Sequence, residues 1–335
     1  MPADIHDAAK NPSYFLISVS TRENLELCIK HALAGFPSGE SGAWTFCEIE
    51  NEDFISFLYG ARAHNLYRVS KREAISDAGH VPPWKPLYFR ESGKTYSFPF
   101  RLHLQPVREF VEPIVRAEFF YVAENLLLRG GYRKTHFQAD QTTLQSVSEM
   151  GTRTDGPVAA LPLPKYTTFT LRFTRNQGLI NTPETCRFQE VILQSALRRH
   201  MMSEDNLQTL LSALNFVEAK AGVFEILGEK ALTQGHIDLL LKQRVPLGSA
   251  LKIPIEVKTN RAQPEDVAQL RGYMDELPGE CPFGMLIAAD FSKRAMTSAP
   301  DKGIRLVRYK LNVDLEKTQA FEEIYQSLTL EPLGN

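Results

Sequence analysis

The sequence predicts an α+β protein of two domains, β-rich in its first half and α/β in its second. Its 335 residues exceed the roughly 150 of a typical single domain, which suggests two. Before residue 145, short β-rich runs follow one another across polar turns, and after residue 185 helical and strand patterns alternate. The stretch between them is rich in Pro, Gly and Thr. We therefore predict a domain at 1–145, a linker at 146–184 and a domain at 185–335.

Composition excludes several classes of protein. A net charge of −2 argues against a protein that coats nucleic acid through overall positive charge, so any DNA-binding surface must be a local one. The four cysteines form no C-x-x-C pair, which argues against a zinc ribbon or a disulfide scaffold and fits a reducing compartment. The amino terminus has no signal-peptide pattern, and no apolar run approaches ~20 residues. We expect a cytoplasmic protein without membrane contact.

The first half reads as successive strands with one early helix. Tyr14–Val19 is a β-rich run, and Thr21 is placed to cap the helix that follows, which we expect Gly35 to end. Trp44–Ile49 is predicted as the next strand. Further strands are predicted at 54–60, 66–69 and 95–107, and residues 117–147 suggest a short helix, a Gly-Gly break and a closing segment.

Four stretches of this half carry a resemblance: YFLISVSTRENLELCI, GFPSGESGAWT, NEDFISFLYG and FPFRLHLQPV. Together, over about residues 14–145, they resemble the EVE and YTH branch of the PUA-like fold. That resemblance implies an amino-terminal PUA-like β-barrel with flanking helices. It also implies an aromatic cage that takes up a flipped-out modified base. The cage candidates are Phe36, Trp44, Tyr59 and Trp84, and the alternative that they belong to the barrel core stays open.

The most informative stretch lies in the second half, between Gly235 and Tyr273. Two short apolar runs, at 236–241 and 253–257, are bounded by turn residues and predict adjacent strands. Glu256 and Lys258 point to the same side of their strand, and Asp238 lies on the partner strand. Two carboxylates and one ammonium at one place on a sheet suit an oxygen-liganded Mg²⁺ and a phosphodiester.

A simpler interpretation competes with this one, because a lone E-x-K on a strand is common and is usually a solvated face. Here, however, the charges interrupt apolar runs, and burying them is costly unless they are paired or bound to a metal. Helices are predicted from Cys186, with Glu190 on its flank, from the cap Ser203 and from Pro264, and strands at 168–173, 223–227, 284–290 and 304–313. The run RLVRYK at 305–310 and the pair Arg198–Arg199 are candidate phosphate contacts, with solvated charge as the alternative.

The pattern G-x-x-D followed by E-x-K resembles the PD-(D/E)XK nuclease superfamily, over about residues 185–309 and nearest to its NucS-like mismatch-endonuclease and recombination-nuclease branches. The first motif departs from the family as H-I-D instead of P-D. The resemblance implies a carboxy-terminal α/β restriction-endonuclease-like domain that uses Mg²⁺, with Mn²⁺ as a substitute. It implies that the metal ligands are Asp238, Glu256 and Glu190, that Lys258 orients the attacking water, and that Gln269 and Tyr273 position the DNA backbone.

Together the two resemblances imply a metal-dependent DNA endonuclease that recognises a modified base, as in type IV-like restriction of foreign DNA. The expected partner is DNA carrying a modified base, and we expect a homodimer. Two alternatives stay open. The first is a repair endonuclease directed to mismatches or lesions. The second is a catalytically idle protein that uses a nuclease fold to hold nucleic acid.

Overall fold

The computed structural model describes residues 12–60, 62–89, 93–114, 135–217, 219–232 and 235–334. The short helix and Gly-Gly break predicted within 117–134 lie outside these ranges. Within them, no helix combines the length and the apolar character that crossing a membrane requires.

The first half forms one mixed sheet with helices against it. The strands follow the order β2-β7-β4-β3-β1-β8, in which β1 and β3 are parallel, and β5 and β6 form a separate hairpin. The strands are β1 (Tyr14–Ser18), β2 (Leu33–Phe36), β3 (Phe54–Tyr59), β4 (Arg62–Ile75), β5 (Leu87–Phe89), β6 (Lys94–Tyr96), β7 (Phe100–Glu109) and β8 (His136–Ala139). The helices are α1 (Arg22–His31), α2 (Glu40–Glu48) and α3 (Gln141–Ser148).

Helix α1 begins as predicted but ends earlier. The Thr21 hydroxyl accepts a hydrogen bond from the Asn24 amide at 3.1 Å, which caps the helix. The helix ends at His31, before Ala32 in the left-handed conformation, so the prediction that Gly35 ends it is wrong. Gly35 lies instead in β2, where a Cβ would overlap the Trp84 ring. Glycine is needed there for close packing of an aromatic ring.

The strand predicted at Trp44–Ile49 is also wrong, because these residues belong to helix α2 and its cap. Ala43, Trp44 and Cys47 have helical spacing and are buried on one face. Their packing against the sheet decides the conformation, although Trp, Thr and Phe favour strands. Trp44 therefore lies on a helix.

The second half forms a six-stranded sheet in the order β13-β14-β15-β16-β17-β19, with β15, β16 and β17 parallel. The predicted strand pair is confirmed, since β14 runs antiparallel to β15. The strands are β13 (Phe224–Ala231), β14 (His236–Gln243), β15 (Lys252–Ala262), β16 (Gly284–Phe291), β17 (Ile304–Leu311) and β19 (Leu328–Pro332). The helices are α4 (Glu190–Met201), α5 (Glu204–Ala213), α6 (Pro264–Asp275), α7 (Lys293–Ser298) and α8 (Phe321–Gln326).

Helices α4 and α6 cover opposite faces of this sheet. Leu193 of α4 packs in the same apolar cluster as Val257 and Ile287. Leu270 of α6 packs with Leu286, which belongs to the other face. Because side chains alternate along a strand, Glu256 and Lys258 lie on the α6 face, and the starts of both helices lie close to them.

The predicted linker is packed against both halves instead of lying free. Its strands β9 (Thr152–Arg153) and β10 (Thr168–Phe169) pair with β7 and β4 of the first sheet. Its strand β11 (Arg172–Thr174) pairs with β12 (Thr185–Arg187) and β18 (Gln319–Ala320). A single cluster of buried apolar side chains also runs from Phe15 in the first half to Leu193 in the second. The two predicted domains therefore share a core.

A buried ion pair crosses the same boundary. Arg198 of α4 is 1% exposed. Its Nε donates to Glu48 Oε2 at 2.6 Å, and its Nη2 donates to the Glu48 carbonyl at 2.7 Å. Burial alone would raise the pKa of Glu48, but Arg198, His136 and the Ser195 hydroxyl hold it below its usual range. Arg199 also donates to the Cys47 carbonyl of α2 at 3.1 Å. Arg198 and Arg199 are therefore interface residues and not surface phosphate contacts.

We predict that Arg198→Met destabilises the protein by ~3–5 kcal/mol, because it leaves the buried Glu48 carboxylate without its cation. The free energy of unfolding in urea measures this. Arg22→Met is the control, since Arg22 forms an exposed pair with Glu26 on α1, and surface changes usually stay within ~0.5 kcal/mol. Equal losses in the two variants would contradict the prediction.

Candidate active site

The β14–β15 hairpin places Asp238 and Glu256 side by side. Leu239 pairs with Ile255 across the two strands, so Asp238 and Glu256 occupy the next position of the register. The Val257 amide donates to Asp238 Oδ2 at 2.7 Å. This bond fixes the Asp238 carboxylate at the start of its strand, beside Glu256.

Glu256 is the more buried carboxylate, at 1% exposure. Its Oε1 accepts from Lys258 Nζ at 2.7 Å. Its Oε2 is buried and has no hydrogen-bond partner within the described ranges. Burial raises the pKa of Glu256, and Lys258 offsets only part of that rise. A buried carboxylate oxygen without a donor is costly, and sites of this kind call for an explanation.

The charges at this site perturb one another. Burial and the nearby Glu256 raise the pKa of Asp238 to about 8, although the Val257 amide opposes the change. Burial would lower the pKa of Lys258, but the hydrogen bond to Glu256 and the surrounding carboxylates raise it above its usual range. Two carboxylates that resist ionising together, beside a lysine that stays charged, form an electrostatically strained group.

Glu190, the first residue of α4, reaches this group from the other face of the sheet. Its Oε1 lies 3.7 Å from Lys258 Nζ, and its Oε2 accepts from the Thr259 amide at 3.3 Å. The Tyr309 hydroxyl in turn donates to the Thr259 carbonyl at 2.7 Å. The structure therefore brings Glu190 to Lys258, and Lys258 in turn contacts Glu256.

Sequence reasoning missed Asp266 as a member of this group. Asp266 lies in the first turn of α6, 3.9 Å from Lys258 Nζ. Its Oδ2 also accepts a hydrogen bond from the backbone amide of Gln263 at 2.7 Å, which completes a capping box. The available signal was an acidic residue at the start of the helix that directly follows the E-x-K strand. Helix capping alone explained that residue, so its second contact was not predicted.

Gln269 and Tyr273 lie one turn apart on α6, and the Gln269 amide donates to the Tyr273 hydroxyl at 2.9 Å. Burial raises the pKa of Tyr273, and the carboxylates of Glu256 and Asp238 raise it further, which places the phenol near them. The ring packs on Gly235, where a Cβ would lie 2.5 Å from the hydroxyl. The glycine of the G-x-x-D pattern is therefore explained by this contact.

The donors at this site fit a hard divalent cation better than a softer metal. Within the described part of the chain, no three His, Cys, Asp or Glu side chains group closely enough to hold a metal ion. Asp238 and Glu256 nevertheless offer two carboxylates, one of them with a buried oxygen that lacks a donor. Mg²⁺ typically takes one or two carboxylates and keeps several waters. The residues present therefore fit Mg²⁺.

The cavity beside Trp44 is not lined by the other three cage candidates. Phe36, Trp44 and Trp84 are buried in the apolar core, whereas Tyr59 at the end of β3 is 36% exposed. Of the four, Trp44 alone lines the cavity that it forms with His136, Gln194 and Asp238. That cavity measures about 10 Å³, which is room for about one water molecule and not for a base. The cage role of all four residues stays a prediction.

Comparison with known proteins leaves the chain without an assigned family. No family model matches the sequence, and no curated protein matches it. A repair endonuclease from Pyrococcus abyssi is 18% identical over 34% of this chain and 47% of that one, with a TM-score of 0.23. An EndoMS–dsDNA complex is 22% identical over 34% of this chain and 46% of that one, with a TM-score of 0.22. The MspJI restriction endonuclease, bound to a 27-mer oligonucleotide, is 13% identical over 83% of this chain and 68% of that one, with a TM-score of 0.18.

This chain therefore spans about half the length of the first two proteins. None of the three TM-scores reaches 0.5.

The raised pKa of Asp238 predicts a dependence of stability on pH. Between pH ~4 and the folded pKa of about 8, the unfolded carboxyl loses its proton while the folded one keeps it, so stability falls as pH rises. The Asp238→Asn side chain keeps an oxygen that can accept from the Val257 amide. It has no carboxyl group, so the fall in stability that Asp238 causes is removed. We expect the variant to be more stable than the wild type at pH 8 without metal, by urea unfolding in EDTA.

Asp140 provides a control of opposite sign, because burial would raise its pKa but Lys242 and Thr143 lower it to about 2. Its carboxylate stabilises the fold above pH ~4, and this contribution is lost as pH falls through about 2. Asp140→Asn should therefore destabilise the protein at pH 8. An Asp238→Asn variant that is less stable than the wild type at that pH would contradict the account.

Proposed function

We propose that this protein is a metal-dependent endonuclease that hydrolyses phosphodiester bonds of DNA, with Asp238, Glu256 and Lys258 at its active centre. The observation that carries this proposal is the carboxylate pair beside Lys258, in which Glu256 is buried and keeps an oxygen without a donor. A site built only for stability would replace such a pair with apolar residues or satisfy it fully. The catalytically idle alternative is disfavoured for the same reason.

Asp238 and Glu256 would hold the metal, and Glu190 would support them through Lys258. When bound, Mg²⁺ or Mn²⁺ polarises the phosphate and lowers the pKa of a water molecule. The two carboxylates must be ionised to serve as ligands. Their raised pKa values therefore favour a bound cation at this site, because its positive charge would stabilise both carboxylates in their ionised forms.

Lys258 is suited to stabilise charge and not to act as a base. Its pKa lies above the usual range, so its ammonium stays protonated at neutral pH. The ammonium carries three N–H donors, and Glu256 accepts the 2.7 Å hydrogen bond from one of them. We propose that another orients the attacking water and offsets the charge that develops on the phosphate. Tyr273, held by Gln269, would position the DNA backbone.

The finer proposal is modification-dependent cleavage, as in restriction of foreign DNA. It is supported by the EVE-like residue pattern of the first half, where Tyr59 is the exposed cage candidate. The second candidate is a repair endonuclease directed to mismatches or lesions. Burial of Phe36, Trp44 and Trp84 in the core favours it, because those rings are engaged in packing.

We predict that the full chain nicks supercoiled plasmid with Mg²⁺ and that EDTA stops the reaction. Asp238→Asn, Glu256→Gln and Lys258→Met should each lower the rate by at least ~10²–10³-fold, the usual cost of losing one electrostatic contact to the transition state. Glu190→Gln should lower it less. Asp275→Asn, which removes an exposed partner of Arg271, is the control and should cut normally.

Full activity of Asp238→Asn, or activity that survives exhaustive chelation, would contradict this site. Matched duplexes that are unmodified, methylated, hydroxymethylated or mismatched then separate the two finer functions. Preference for a modified duplex supports restriction, and preference for the mismatched one supports repair.

A further inference from the structure

Two arginines share one carboxylate at the same end of the sheet as Lys258. Arg261 Nε lies 3.3 Å from Asp290 Oδ2, and Arg308 Nη2 lies 3.6 Å from Asp290 Oδ1. The side chains of Arg261, Asp290 and Arg308 are 56%, 52% and 34% exposed. This Arg261–Asp290–Arg308 group is therefore open to solvent and carries a net positive charge.

The sheet register places this group beside the candidate active centre. Lys258 pairs with Ala288, and Ala288 pairs with Arg308, so the three residues form one row across parallel strands. Neighbouring strands lie about 4.8 Å apart, which puts the Cα atoms of Lys258 and Arg308 at about 10 Å. Arg261 follows Lys258 by three residues on β15, beyond an irregularity in the register.

Arg308 also lies on the same face as Lys258. Leu286, Ala288 and Leu306 pack with α6, and Arg308 follows Leu306 by two positions, so its side chain projects from that face. The row therefore presents Lys258 and Arg308 on one surface, with Arg261 and Asp290 at its edge. A DNA backbone that brings a phosphate to Lys258 would extend across Arg308 and Arg261.

The chemistry of the group suits phosphate better than structural support. Each guanidinium has five N–H donors in a planar fork, and its contact to Asp290 is a long one, at 3.3 Å for Arg261 and 3.6 Å for Arg308. Exposed ion pairs add little to stability. Asp290 instead keeps two flexible side chains together, which lowers the entropy lost when they bind. Arginine forks match phosphate oxygens well.

We propose that Arg261 and Arg308, held together by Asp290, bind two backbone phosphates of double-stranded DNA next to the phosphate at Lys258. This inference rests on the proposed nuclease function. It adds a binding surface outside the metal-ligand set and assigns Asp290 as its positioning residue.

The test is binding of a fluorescein-labelled 30-bp duplex to the full chain in EDTA, by anisotropy between 50 and 200 mM KCl. For the wild type, log K should fall linearly with log salt. Arg261→Gln and Arg308→Gln should each bind more weakly, with a slope smaller by ~0.9, the value for one lost phosphate contact. Over this range the wild type should lose roughly 3.5-fold more affinity than either variant, as that slope implies.

Arg271→Gln is the matched control. Arg271 also pairs with one carboxylate, Asp275, but it donates to the Lys302 carbonyl at 3.2 Å, near the opposite end of β17. Its removal should leave the slope unchanged. Arg308→Lys keeps the charge, so it should restore the slope while recovering only part of the affinity. A merely structural role for Arg308 would not produce that pattern.

The outcomes separate this inference from the proposed function. Wild-type protein that binds and cuts DNA, with both Gln variants indistinguishable from Arg271→Gln, overturns the phosphate-binding group alone. Wild-type protein that neither binds nor cuts DNA overturns both proposals.

Discussion

The candidate site depends on one electrostatic constraint: the buried Glu256 carboxylate lies beside the half-buried Asp238 carboxylate in a sheet, and Lys258 alone does not compensate the two. Asp238 is fixed by the Val257 amide, and Glu256 by Lys258. The site therefore carries an energetic cost in the absence of a further cation, which is a common feature of sites selected for chemistry instead of stability.

Helix α4 links that site to the first half of the chain. Glu190 at its start contacts Lys258, and Arg198 near its end forms the buried pair with Glu48. Arg198 follows Glu190 by eight residues in this helix, so these contacts lie roughly 12 Å apart along it. Because α2 also carries Trp44, the predicted recognition half and the half with the candidate active site are joined through packed elements. Their arrangement is fixed by a shared core and not by a flexible linker.

Local patterns predicted the β14–β15 hairpin of the candidate site and failed where tertiary contacts decide. The strands around Asp238 and Glu256 were predictable because each is a short apolar run bounded by turn residues, and the site was predictable because charges interrupt those runs. The helix containing Trp44 was misread because its aromatic and β-branched residues favour strands in isolation. Asp266 was missed because its approach to Lys258 depends on how α6 crosses the sheet. Arg198 was predicted as a phosphate contact or a solvated charge, because its buried partner Glu48 lies 150 residues away in the sequence.

The most direct measurement of the central claim is anomalous diffraction from crystals of the full chain grown with Mn²⁺. The account predicts an anomalous peak within bonding distance of the Asp238 and Glu256 carboxylates, and its loss in Glu256→Gln. Absence of a peak there at saturating Mn²⁺, or an equal peak in the variant, would contradict it.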